Sequence, residues 1–291
     1  MNLMKFKKLY FAISLCFLIP GLISLLLFGL KPAIDFTGGS LLELHFLDSN
    51  HEVLQESSFK TTLTEFYEAN VVQQSGEQQM LLKGKEIDNQ QKDDLVKNLS
   101  EKYGQIKVLR FETVGPVLGA ELLRKTLLAV LLVAGIITFY VWKQFDELKY
   151  GLCAVLAMLH DSLILIGAFS LLGHFLQVEV DVLFVTALLT TLSFSVHDTI
   201  VVYDRIRELK RKHPRSSLEE IANAAVLETL SRSINNSMTI IIMLLSLVIL
   251  GGESIRWFGI ALLIGAITGT YSSTFTAVPL LLVVDQKKLI K

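Results

Sequence analysis

The stretch Phe194–Glu208, FSVHDTIVVYDRIRE, continues an apolar run that begins near Val180, yet it sets His197 and Asp198 side by side and adds Asp204 six residues on. An apolar run of this length reads as a membrane-spanning helix. A carboxylate at the centre of a bilayer costs about 3 kcal/mol on insertion scales, so intramembrane acids usually face a bundle interior or a watery path and mark ion or proton routes. This one segment therefore points to a polytopic membrane protein with polar chemistry inside the bilayer.

The rest of the chain agrees. Of its 291 residues 52% are hydrophobic and 19% charged, with a mean hydropathy of +0.51, which excludes an ordinary soluble globular protein. The net charge of −1 offers no case for nucleic acid as a partner, and the position of each charge along the chain carries the information instead. Cys16 and Cys153 both fall in apolar runs and read as small core residues, with no disulfide framework and no metal-ligand spacing.

Apolar runs predict spans at 9–30, 122–142, 151–172, 181–203, 234–250 and 257–284. The first exceeds a signal-peptide core and has no A-x-A-like site after it, so it reads as a retained helix. Lys143 and Lys149, the basic run Arg205–Arg215, and Lys287, Lys288 and Lys291 alternate with segments poor in Lys and Arg, which predicts both termini in the cytoplasm. The expected organisation is a cytoplasmic N-terminus and first span over 1–33, an outside domain over 34–119, and five further spans over 120–291.

That outside domain reads β-α-β-β-α-β, the order of a ferredoxin-like split sheet. SLLELHF and IKVLRFETV are strands, NVVQQSGEQQMLLKGK is two strands around Gly76, and SSFKTTLTEFYEAN is a helix capped by Ser57 or Ser58. Asp88 is placed to cap a second helix that Gly104 ends. The domain contains no catalytic constellation, which favours binding or leverage over catalysis. No G-x-x-x-x-G-K string occurs in the chain, which argues against ATP hydrolysis, and no G-x-G-D string points to an intramembrane aspartyl protease.

Three spans carry the polar residues. His160 and Asp161 fall in mid-span three, and Asp198 sits a few residues inside the end of span four with Asp204 at its boundary. Arg232, Asn235, Asn236 and Thr239 follow i, i+3, i+4, i+7 spacing, one stripe on span five at the depth of Asp198. Arg232 moving relative to Asp198 would load and unload a proton. The structural alternative is polar packing, with Asp204 ending a helix in basic cytosol. Gly265 and Gly269 form a G-x-x-x-G packing pattern in span six, followed by Thr270, Ser272 and Ser273, which close packing explains without further chemistry.

DFTGGSLLELHF, RFETVGPVLGAELLRK, MLHDSLI, FSVHDTIVVYDRIRE and IGAITGTYSS, in this order over nearly the whole chain, resemble the SecF family of the SecDF protein-export auxiliary. The resemblance implies a six-span half of the RND superfamily that pairs with a SecD subunit beside the SecYEG channel in the bacterial inner membrane. It implies use of the proton gradient, the proton being the coupling ion and no cofactor or metal being needed, to promote late translocation and release of exported polypeptides. Proton handling maps onto Asp198, Asp204 and Arg232, with His197, His160 and Asp161 as further titratable candidates. Asp35, Gly38 and Gly39 map onto the joint between membrane and outside domain. The sequence departs at His197, where many members have Asn, and in SRSINNSMT, which keeps Arg232 but changes its neighbours. A half-transporter for small molecules or lipids is the alternative, and the shortness of the outside segment argues against it.

Overall fold

A computed structural model describes residues 2–47, 59–60, 63–64, 66–76, 78–145 and 147–289. The chain divides into two compact units, Met1–Lys31 with Leu128–Lys291, and Pro32–Leu127.

The first unit is helical, and the helix Pro116–Gln144 has its first residues, Pro116 to Leu127, in the second unit. Among the described residues six helical segments are long and apolar enough to cross a membrane. They are α1 (Lys7–Phe28), α4 (Pro116–Gln144), α5 (Leu148–Leu176), α6 (Val182–Lys212), α7 (Leu218–Leu250), and a last span made of α8 (Glu253–Ser272), a π-helical turn (Ser273–Ala277) and α9 (Val278–Leu289). Several outrun their apolar stretches. The helix of span five was expected from 234 but begins at Leu218, because Ser217 and Glu220 form a reciprocal capping box there. Beyond the bilayer-like part of α6, Glu208 pairs with Lys212 one turn on.

Packing is closest where side chains are smallest. A Cβ on Gly167 of α5 would lie 2.6 Å from the Cα of Gly21 on α1, and one turn along Ser24 and Ser170 share a hydrogen bond of 2.9 Å. Backbones approaching this closely gain van der Waals contact that Leu-sized residues would forbid. A second cluster gathers Tyr150, Cys153, Ala157 and Met158 of α5 with Val196, Val202 and Tyr203 of α6. The π-helical turn has a local cause as well. Pro279 lacks an N–H and its ring would press on the carbonyl four residues back, so the chain widens its register just ahead of it.

The second unit holds β1 (Gly39–Phe46), β2 (Ala69–Gly76), β3 (Gln79–Gly84), α3 (Asn89–Tyr103) and β4 (Ile106–Val114), after a short helix α2 (Ile34–Thr37). Its sheet order is β2-β3-β1-β4 with every neighbour antiparallel, the split arrangement expected from the sequence. Asp88 caps α3 in a box with Gln91, and Gly104 ends it at φ +80°. The helix expected over 57–70 is described only in part: Phe59, Lys60 and Leu63 are helical, whereas Ser57 and Ser58 lie outside the described residues. Ala69, expected in that helix, instead opens β2, where it pairs with Gly84, and Asn70 follows in the strand that NVVQQSG predicts. Leu42, Leu44, Phe46, Phe59, Leu63, Met80, Leu82 and Leu99 are at most 1% exposed. Burial of side chains of this kind contributes about 2 kcal/mol each.

Candidate functional site

Asp198 lies on the inward face of α6, 5% exposed. Ser233 on α7 donates its hydroxyl hydrogen to Asp198 Oδ2. His197, Asp198, Thr229, Arg232, Ser233 and Asn236 line a cavity of about 250 Å³ between the two helices. Among the described residues Arg232 and Asp198 share this cavity without an ion pair, so a cation, a carboxylate and space for several waters coexist at one point. Such an arrangement can exchange a proton: the carboxyl holds it when neutral, and approach of the guanidinium stabilises the anion once it leaves. Ser233, which the motif reading passed over, is the donor that fixes the carboxyl. Its spacing of one residue from Arg232 on an otherwise polar stretch was the available signal.

The structure does not bring Asp204 to this cavity. Six residues advance a helix by about 9 Å and turn it by about 240°, and Asp204 emerges 47% exposed, its carboxylate 3.2 Å from Arg207. Arg205 is likewise engaged elsewhere, with Glu208 and Glu228. On α7 Arg232, Asn235, Asn236 and Thr239 are exposed, so the polar stripe faces outward from this chain.

His160 and Asp161 form a second polar centre in α5. Asp161 is 0% exposed, its Oδ1 is 3.0 Å from His160 Nδ1, and its Oδ2 accepts from Ser272 at the end of α8. Ser272 thus has a chemical partner, which corrects the expectation that close packing alone explains it. Thr270 donates to Ser237 over 2.6 Å and joins the same span to α7. A Cβ on Gly265 would fall 2.0 Å from Thr191 Oγ1, and one on Gly269 3.0 Å from the Phe194 ring, so both glycines let α8 close on α6.

In the other unit Asp35 sits in the first turn of α2, and Gly38 and Gly39 have φ of +75° and +122°. A side chain at Gly38 would meet the Pro116 backbone at 2.6 Å, and one at Gly39 the Gly84 carbonyl oxygen at 2.6 Å. Gly119 closes the same contact, its imagined Cβ 2.8 Å from the Gly38 nitrogen. These glycines answer a need for close backbone approach at positive φ.

Comparison with known proteins gives this geometry a family. Residues 94–287 match the model for the protein export membrane protein SecD/SecF, C-terminal, and residues 23–46 match the SecD/SecF GG motif. The chain belongs to the SecD/SecF family. The protein translocase subunit SecF of Thermobaculum terrenum is 38% identical over 100% of this chain and 96% of its own. The protein translocase subunit SecDF of Bacillus subtilis is 34% identical over 93% of this chain, but only 36% of its own length is matched. The crystal structure of SecDF from Thermus thermophilus, a translocon-associated membrane protein, superposes with a TM-score of 0.85 at 32% identity, over 99% of this chain and 39% of that one. The chain therefore spans about two-fifths of the SecDF chains and 81–96% of the SecF relatives. The SecD/SecF GG motif contains Gly38 and Gly39, and the family's C-terminal region contains Asp161, Asp198 and Arg232.

Proposed function

We propose that this chain is the SecF-type half of a protein-export auxiliary, which joins a SecD-type half in the cytoplasmic membrane and uses proton entry to promote late translocation and release of exported polypeptides. The observation that carries the reading is Asp198: buried, held by Ser233, and facing a cavity shared with Arg232, with which it forms no ion pair among the described residues. One charge crossing 100 mV releases about 2.3 kcal/mol, so a few protons suffice to bias the position of a small domain.

The exposed stripe of α7 supports the pairing. Arg232, Asn235 and Asn236 facing hydrocarbon would be costly, whereas a second polar half against this face relieves that cost. The match to two-fifths of SecDF chains leaves room for such a half. In this reading both termini are cytoplasmic, the unit Pro32–Leu127 lies outside, Asp35, Gly38 and Gly39 form its joint, and SecYEG and emerging preproteins are the neighbours.

The test is release of a secretory precursor, after ATP-driven translocation, from membranes whose native copy is replaced by this chain or its Asp198→Asn form, with assembly of the complex monitored. Normal assembly with release reduced to the level seen under a proton ionophore is expected. Unchanged release at equal abundance overturns Asp198 as the carrier. Asp204→Asn, exposed and paired at the helix end, should cost far less.

A further inference from the structure

His160 and Asp161 are not among the residues that line the Asp198 cavity. Asp161 is fully buried, and its two oxygens face two donors, Ser272 Oγ and His160 Nδ1. His160 is 9% exposed, and its Nε2 has no partner among the described residues. With its hydrogen on Nδ1 the ring donates to Asp161 Oδ1.

Ser272 gives a proton on Asp161 a consequence. It is the last residue of α8, and its hydroxyl has a second acceptor, the Gly269 carbonyl, at 3.3 Å. The same carbonyl accepts from the N–H of Ser273, the first residue of the π-helical turn Ser273–Ala277. One hydroxyl hydrogen thus chooses between a carboxylate and the backbone acceptor at the α/π junction. The far end of the turn is held separately, where Tyr203 donates to the Ala277 carbonyl over 2.7 Å.

Building on the proton-coupled reading above, we propose that Asp161 is a second intramembrane proton-binding site, and that its proton acts through Ser272 on the π-helical turn of the last span. A proton from the aqueous phase adds to Asp161 Oδ2, and no other covalent bond changes. The new O–H donates to Ser272 Oγ, whose own hydrogen swings to the Gly269 carbonyl and competes with the Ser273 N–H. Loss of the proton reverses each step. A π-helical turn is a place where a helix exchanges one register for another at small cost, and such turns recur at functional sites.

The charged surroundings are sparse. Of the elements packed on α5, α1 has no charge between Lys8 and Lys31, and the last span has none between Arg256 and Asp285. On α6 the buried acid is Asp198, held by Ser233, with His197 beside it at the cavity; at the end of α9 Asp285 is paired with Lys149, 2.7 Å away. Among the described residues Asp161 is hydrogen-bonded to His160 and Ser272.

The test uses the assembled complex in native membranes, as wild type, Asp161→Asn and Asp161→Asn/Ser272→Ala. Asparagine imitates the neutral acid, its amide donating to Ser272 while its oxygen accepts from His160. Hydrogen exchange in peptides covering Gly269–Ala277 should accelerate in Asp161→Asn and return to the wild-type rate in the double variant, which has no hydroxyl to compete for the Gly269 carbonyl. A merely destabilised bundle would not recover. Infrared difference spectra on acidification should show a carboxylic band that is lost in Asp161→Asn and kept in Asp198→Asn, so this site fails or stands independently of the Asp198 reading. Unchanged exchange in Asp161→Asn, no recovery in the double variant, or no Asp161-dependent band overturns the proposal. If Asp161→Asn does not assemble, Ser272→Ala alone should make protection across the turn, taken relative to the intrinsic amide rate at each pH, independent of pH, and persistence of a pH-dependent protection overturns the proposal equally.

Discussion

At the scale of single residues, the chemistry depends on which donors a buried carboxyl can reach. Asp198 reaches Ser233, and removing that hydroxyl leaves a buried acceptor short of its partner, a loss of about 1–3 kcal/mol. Ser233→Ala should therefore assemble yet release precursor more slowly, and its release should respond less steeply to the proton gradient than that of the wild type. A precursor-release series against gradient size checks this. In the sheet-bearing unit, Tyr67 donates to the Lys85 carbonyl over 2.9 Å, and burial pushes its phenol from 10.0 up to about 12. A raised phenol favours the neutral form in the fold. Its contribution to stability is thus complete below pH 10.0 and is lost as pH rises from there through about 12. Thermal unfolding across the alkaline range should show this decline, and Tyr67→Phe should flatten it.

At the scale of elements, small residues decide which helices touch. The seam of Gly21 and Ser24 against Gly167 and Ser170 leaves no room for a side chain between α1 and α5. Gly167→Leu forces these helices apart, at a cost of about 1–3 kcal/mol or more, and should lower abundance and melting temperature before it affects the release activity of whatever protein survives. Quantifying membrane-inserted protein beside release per molecule separates the two. Gly265 and Gly269 were legible as a G-x-x-x-G string, whereas Gly21 and Gly167 belong to different helices and form no string at all. The capping boxes at Asp88 and Ser217 show the opposite case, in which four consecutive residues carry the whole signal.

At the scale of the whole molecule, ion pairs join the ends of the helices. Lys149, 8% exposed, bridges Glu147 and Asp285, while Glu147 also takes Lys210 from the end of α6. A hydrogen bond from Lys149 holds the Glu147 carboxyl below its ordinary 4.5; burial opposes this, and Lys210 assists it. A depressed carboxyl stabilises the fold above pH 4.5, and that stability is lost as pH falls through its lowered value. In detergent the stability of the wild type should fall more steeply on acidification than that of Glu147→Gln, which should be less stable at neutral pH and converge on the wild type as pH falls below 4.5.

The sequence by itself determined the six spans, the split sheet, the caps of α3, and the family, because each rests on local periodicity or on strings a few residues long. It also placed Asp198 and Arg232 at a common depth. Only the tertiary structure decided that Asp204 turns away to Arg207, that Ser233 and Ser272 are the partners of the two buried acids, and that α1 meets α5 through bare glycine. Ser272 and Asp161 stand 111 residues apart in the chain. Contacts of that range follow from how helices rotate and close on one another, which no local pattern records.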